Sequence, residues 1–192
     1  VDPNEDGAVV FDHRGGMLMI EYKEDFINTV GDGHAVNINI KTYEKEIFRS
    51  NADEARYLPQ GRDIIDVVYD IELENDNFET MSEQLLKGMD LNFYYTDADI
   101  VGFVESAFAV YHWNGALWER MPGAVIYPNE NRVEVTATSF SPYVLTGNYA
   151  CFDVVDNDGD GRIDFPDDAG CAGINDMSEV DSIVQSTGLP QV

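Results

Sequence analysis

With 192 residues, 44% of them hydrophobic and 11% aromatic, the chain can build one globular domain with a small appendage, and it is too apolar to be disordered. Lys and Arg number 11 against 37 Asp and Glu, a formal net charge of −26 that repels phosphate backbones and anionic lipid and argues against a nucleic-acid partner. No run approaches the roughly 18 apolar residues of a membrane span. The same acidity attracts divalent cations, which would relieve the self-repulsion of the folded state.

Residues 1–148 read as β. Segments rich in β-branched and aromatic residues recur at 8–11, 17–22, 34–41, 64–73, 89–95, 107–113, 116–121, 124–127, 132–138 and 143–146, separated by turn residues. The runs around Asn37 and Asp66 alternate as a sheet with one wet face does. Helix signals are weak: one or two turns at 82–86 and another at 51–57. So many short strands predict an all-β fold, an antiparallel β-sandwich. Between 110 and 118, Asn114-Gly115 predicts a two-residue hairpin turn that pairs Trp113 with Ala116 and Tyr111 with Trp118. Tyr111, Trp113 and Trp118 then share one face, either as part of the core or as a flat platform for sugars; core burial is the simpler role for such rings. Asp70, Glu72, Glu74 and Asp76 alternate along a strand and read as a solvated face. Asp97 and Asp99, like Asp2, Glu5 and Asp6, read as loop residues.

Gly147-Asn148 marks the boundary with an acidic module at 149–181, and the uncharged stretch 182–192 follows as a tail that could dock on a neighbouring subunit. The two cysteines, Cys151 and Cys171, flank the acidic run, while His13, His34 and His112 all lie far upstream. A zinc site would need further Cys or His ligands nearby, so a disulfide is the better reading, and with it an oxidising compartment. A chain that begins at Val1 rather than Met agrees with a processed, secreted protein.

Between the cysteines, a twelve-residue loop counted from Asp156 places Asp156, Asp158, Asp160, the carbonyl of Arg162, Asp164 and Asp167 at positions 1, 3, 5, 7, 9 and 12, with Gly161 at the bend. Those are the oxygen-donor positions of a calcium loop, in which a hard cation gathers six to eight oxygens at about 2.3–2.6 Å. Five carboxylates in twelve residues repel one another without a cation. Poor helix formers flank the loop, position 12 is Asp rather than Glu, and Pro166 sits where an exiting helix would start, so a helix–loop–helix hand is not expected.

The pattern Cys-x-Asp-x-x-Asp-Asn-Asp-x-Asp-Gly-x-x-Asp-x-x-Asp-x-x-Gly-Cys resembles the thrombospondin type 3 calcium repeats and their single-copy relatives in bacterial secreted proteins. That resemblance implies a unit in which metal replaces a hydrophobic core, with two ions and a disulfide across the loop. It makes Asp153, Asp168, Asn175, Asp176 and Glu179 candidates for a second ion. The runs DLNFYYTDAD, VYHWNGALWERM and NRVEVTATSFSPYVL, closing on Phe140-Ser141-Pro142-Tyr143, resemble the terminal strands of ZU5-like β-sandwich domains of bacterial and archaeal extracellular proteins. This implies a structural or interaction module rather than a catalyst.

No zinc-protease, serine-hydrolase, phosphate-loop or dinucleotide signature occurs, and the histidines stand singly, so no enzyme is expected. The leading expectation is an extracellular calcium-binding structural protein, self-assembling into a filament or surface layer. A segment such as Ile183-Val184 would add to a neighbour's sheet edge and calcium would lie between subunits. The alternative is a carbohydrate-binding or adhesin-type module of a larger secreted protein, with calcium as an internal fastener.

Overall fold

The structure, a computed structural model, describes residues 1, 5–13, 16–24, 37–45, 58–59, 61–74 and 87–181. His34, Asp2, Asp76, both helical turns and the tail lie outside the described residues. Ten strands are described: β1 (Gly7–His13), β2 (Gly16–Tyr22), β3 (Asn37–Glu44), β4 (Arg62–Glu74), β5 (Met89–Tyr94), β6 (Ala109–Trp113), β7 (Trp118–Arg120), β8 (Val125–Tyr127), β9 (Arg132–Ala137) and β10 (Pro142–Asn148). They form two antiparallel five-stranded sheets, in the orders β1-β2-β5-β9-β8 and β3-β4-β10-β6-β7. No helix among the described residues is long and apolar enough to cross a membrane.

The core lies between the sheets. Alternation along β5 turns Met89, Leu91 and Phe93 inward, against Tyr69 and Ile71 of β4 and Tyr143 and Leu145 of β10. The Tyr69 and Phe93 rings meet edge to face at 5.8 Å, an arrangement the aromatic quadrupole favours. Tyr143 is fully buried, and its hydroxyl donates to the carbonyl of Ser139, pinning the turn into β10. This gives Phe140-Ser141-Pro142-Tyr143 a local structural role. On the outer face of the first sheet, Asn92 donates to Glu21 and accepts from Arg132, which also pairs with Glu130 and Glu134.

Two local expectations give way to tertiary structure. β4 alternates with one half-wet face only from Tyr69 onward; Ile64, Ile65, Val67 and Val68 are all buried. Its pairing with β10 slips, Val144 facing Val68 while Thr146 faces Ile64, and the extra residues bulge at Asp66, whose φ is 64°. The bulge sends Ile65 and Val67 into the main core and leaves Ile64 and Val68 to a second cluster with Tyr111, Trp118 and Val144.

The hairpin register also differs: Trp113 pairs with Trp118 and Tyr111 with Arg120. The Asn114 amide donates to the carbonyl of Leu117 at 3.1 Å, but the return bond from the Leu117 amide goes to the Asn114 side chain. Its Oδ1 accepts from the amides of Ala116 and Leu117, each at 2.9 Å, and the loop widens to four residues. A shift of two preserves parity, so the three rings keep one face. Tyr111 and Trp118 are 6% and 4% exposed, with Trp113 packed partly over them. Two of the three rings therefore serve a core rather than a flat platform.

Candidate metal centre

Beyond β10, Tyr149 ties the module to the sandwich. Its amide donates to the carbonyl of Gly61 at 3.1 Å, its hydroxyl to Asp63 at 2.8 Å, and its ring packs on Phe103. From here to Asp181 the only regular element is a three-residue 3-10 turn, Ala150–Phe152. Without strands or a hydrophobic core, shape must come from covalent and polar fasteners.

The first fastener is the Cys151–Cys171 disulfide, with both cysteines buried and their Cα atoms 5.7 Å apart. Closing a loop over a sequence separation of 20 is worth about 3 kcal/mol in chain entropy. Replacing both cysteines with serine is expected to cost about that much, read as a lower midpoint in urea unfolding. No loss would mean that the carboxylates alone shape the module.

The second set of fasteners is made of carboxylates. Glu179, 1% exposed, accepts the amide of Asn157 through Oε2 at 2.6 Å and that of Asp164 through Oε1 at 2.9 Å. Asp164 accepts the amides of Asp153 and Val154, both at 2.9 Å, and so holds Val154 at φ 66°, a conformation a β-branched residue adopts only under restraint. Asp153 accepts from Val155 at 2.9 Å and from the side chain of Asn157. The module is thus cross-linked by anions on backbone N–H groups, each bond stronger than a neutral one. The chain crossing is tight: a Cβ on Gly170 would stand 1.7 Å from the carbonyl oxygen of Glu179. Only glycine fits beside Cys171.

Within this frame the loop folds on its own acids. Asp156 accepts from the amides of Gly159 (2.7 Å) and Gly161 (3.0 Å), Asp158 from Asp160 (3.1 Å), and Asp160 from Arg162 (2.8 Å). Gly161, at φ 91°, makes the bend that the spacing anticipates. One carboxylate oxygen from each of Asp156, Asp158 and Asp160 lies within 4.8 Å of the other two. Oxygens on opposite sides of one calcium ion stand about 5 Å apart, so all three fit a single coordination shell.

The other expected ligands are placed variously. Arg162, Asp167 and Asn175 are exposed. Asp176 accepts the amide of Ala172 with its carboxylate and that of Cys151 with its carbonyl. Asp168 is buried, and one of its oxygens, Oδ2, has no hydrogen-bond partner among the described residues. Burial, then the neighbouring charges of Asp160, Asp158 and Glu179, push its carboxyl above the usual range, against the Gly170 N–H that lowers it. Burial likewise raises Asp153, opposed by its bonds to Asn157 and Val155. Negative charge is disfavoured at both positions, and a cation would correct that. Sequence reasoning missed Asn157, whose side chain bridges Asp153 to the carbonyls of Ala150 and Val155.

Five of the remaining acids have ordinary partners. Glu72 pairs with Lys41 at 2.6 Å, Glu74 accepts from Asn39, Asp6 pairs with Lys23, Asp97 accepts from Asn131, and Asp99 caps Thr96. Asp70, Glu72 and Glu74 are half-buried rather than fully solvated. His112 stacks on Tyr143 and faces Glu119 at 3.5 Å. Compared with protein-family models, with curated proteins and with solved structures, the chain matches none.

Proposed function

We propose that the chain is an extracellular calcium-binding structural protein, a subunit of a filament or surface layer in which calcium orders the C-terminal module and joins neighbouring subunits. The observation that carries the reading is the convergence of Asp156, Asp158 and Asp160 within 4.8 Å, in a loop bent at Gly161. The donors are hard oxygens, and the only two cysteines are joined in the disulfide, so a zinc or copper site has no free thiolate to draw on. The disulfide agrees with an oxidising, extracellular setting, and the net charge of −26 with surroundings rich in cations. The likeness of the loop to thrombospondin type 3 repeats points the same way.

Support for assembly comes from the surface. Val154, Val180, Met177 and Val101 are exposed on the module and the loop beside it, apolar side chains that a second copy would cover. Acidic neighbours brought together repel, and calcium between them offsets the repulsion. In sedimentation velocity, species larger than a monomer are expected in millimolar calcium and should dissolve in excess chelator. A monomer under both conditions would sink the assembly reading.

One feature favours a second reading, a carbohydrate-binding or adhesin-type module of a larger secreted protein. A groove of about 590 Å³ is lined by Asp70, Glu72, His112, Trp113, Ser139 and Ser141. A partly exposed indole beside acidic and hydroxyl groups suits a sugar ring. Burial of Tyr111 and Trp118 weighs against a broader platform, and we place this reading second.

A further inference from the structure

Three carboxylates leave a calcium ion short of oxygens, since it takes six to eight. The linear spacing offers Asp164 and Asp167 as the next acids, yet neither joins the converging three. Asp164 spends both oxygens on the amides of Asp153 and Val154, and Asp167 is exposed.

The next residue differs. Asp168 is 2% exposed; its Oδ1 accepts the amide of Gly170 at 2.6 Å, and its Oδ2 has no partner among the described residues. A buried carboxylate oxygen without a donor is costly, and native folds rarely leave one. Asp168 is not one of the converging three, but hydrogen bonds set it beside them: it is bonded to Asp164, whose own amide shares the Glu179 carboxylate with that of Asn157, the residue between Asp156 and Asp158. Its backbone is held on both sides: its amide donates to the carbonyl of Asp164 at 2.9 Å, and its carbonyl accepts from Cys171, which the disulfide anchors to Cys151.

We propose that Asp168 supplies the fourth carboxylate of the cation site formed by Asp156, Asp158 and Asp160, in the role that linear spacing gives to Asp167. The inference rests on the reading of those three aspartates as a calcium site. It gives the disulfide a second purpose beyond stability. By fixing Cys171, the bridge holds the turn that carries Asp168 against the loop, so the ligand is preorganised before the ion arrives. It also moves Asp168 out of the expected second site and into the first.

Calorimetric titration of calcium into the full chain, stripped with chelator, tests this with Asp168→Asn and Asp167→Asn. The first substitution keeps the Oδ1 acceptor for Gly170 and replaces the unpaired, charged Oδ2 with an uncharged amide NH2. D168N is expected to weaken calcium binding about tenfold or more, and D167N to leave it within about twofold, because charge count at the ion sets affinity. Melted in chelator, D168N should hold at or above the wild-type midpoint, since a buried unpaired charge has gone. That result separates loss of a ligand from loss of fold. Wild-type affinity in D168N, or loss in D167N alone, would overturn the assignment and leave the calcium reading standing. If the wild-type chain takes up no calcium, the reading beneath it falls as well.

Discussion

Replacing Glu179 with alanine is expected to destabilise the protein by about 4 kcal/mol, because two charge-assisted hydrogen bonds at about 1.5–3 kcal/mol each are lost together. Glu179 is almost completely buried, and its two oxygens receive the amides of Asn157 and Asp164, 22 and 15 residues away in sequence. No strand ladder ties those segments together, so the carboxylate stands in for a core. In the alanine variant both amides lose their partner inside the fold, which is the costly half of the asymmetry in hydrogen-bond energetics. Glu179→Gln keeps one carbonyl acceptor and should cost about half as much. For a chain of this length each kcal/mol moves the melting temperature by roughly 2–4 °C, so thermal unfolding should show a drop of about 10 °C for the alanine variant. A drop of less than about 2 °C would show that the buried carboxylate is no fastener.

Chelation of calcium is expected to have an effect of similar size. A ligand present at about a thousand times its dissociation constant stabilises the native state by about 4 kcal/mol, which corresponds here to a fall of roughly 8–16 °C on its removal. The physical source is local. Asp156, Asp158 and Asp160 crowd their oxygens within 4.8 Å, and burial disfavours negative charge on Asp153 and Asp168. A chain with a net charge of −26 also responds to simple screening, so the control is sodium chloride at equal ionic strength with chelator present. Recovery by calcium but not by sodium identifies site binding; recovery by both would reduce the effect to screening. No shift on chelation would remove calcium from the account of this protein.

Strands were legible wherever their cause is local. Met89, Leu91 and Phe93 alternate with polar residues, and a period of two needs no distant information to be read. The hairpin at Asn114 was placed correctly but registered two residues short, because a side-chain amide that can satisfy backbone donors competes with the turn its backbone favours. β4 was misread for another reason. Ile64 and Val68 are apolar on what local alternation marks as the wet face, and only the second cluster around Trp118 shows what that face is for.

The acidic module divides along the same line. Spacing of two along Asp156, Asp158 and Asp160, with Gly161 following, determines by itself that three carboxylates gather in one place, because side chains so placed converge whenever the backbone bends there. The pairing of two lone cysteines across the loop was determined in the same way, by the shortage of any other partner. What only the tertiary structure decided is which of the remaining acids serve the loop and which serve the fold. Asp164, Asp153 and Glu179 turn to backbone amides, and Asp168, rather than its neighbour Asp167, is buried with an oxygen unpaired. Those roles depend on the close crossing of Gly170 over Glu179 and on the disulfide that fixes it. Contacts between residues far apart in the chain leave no periodicity for the sequence to display.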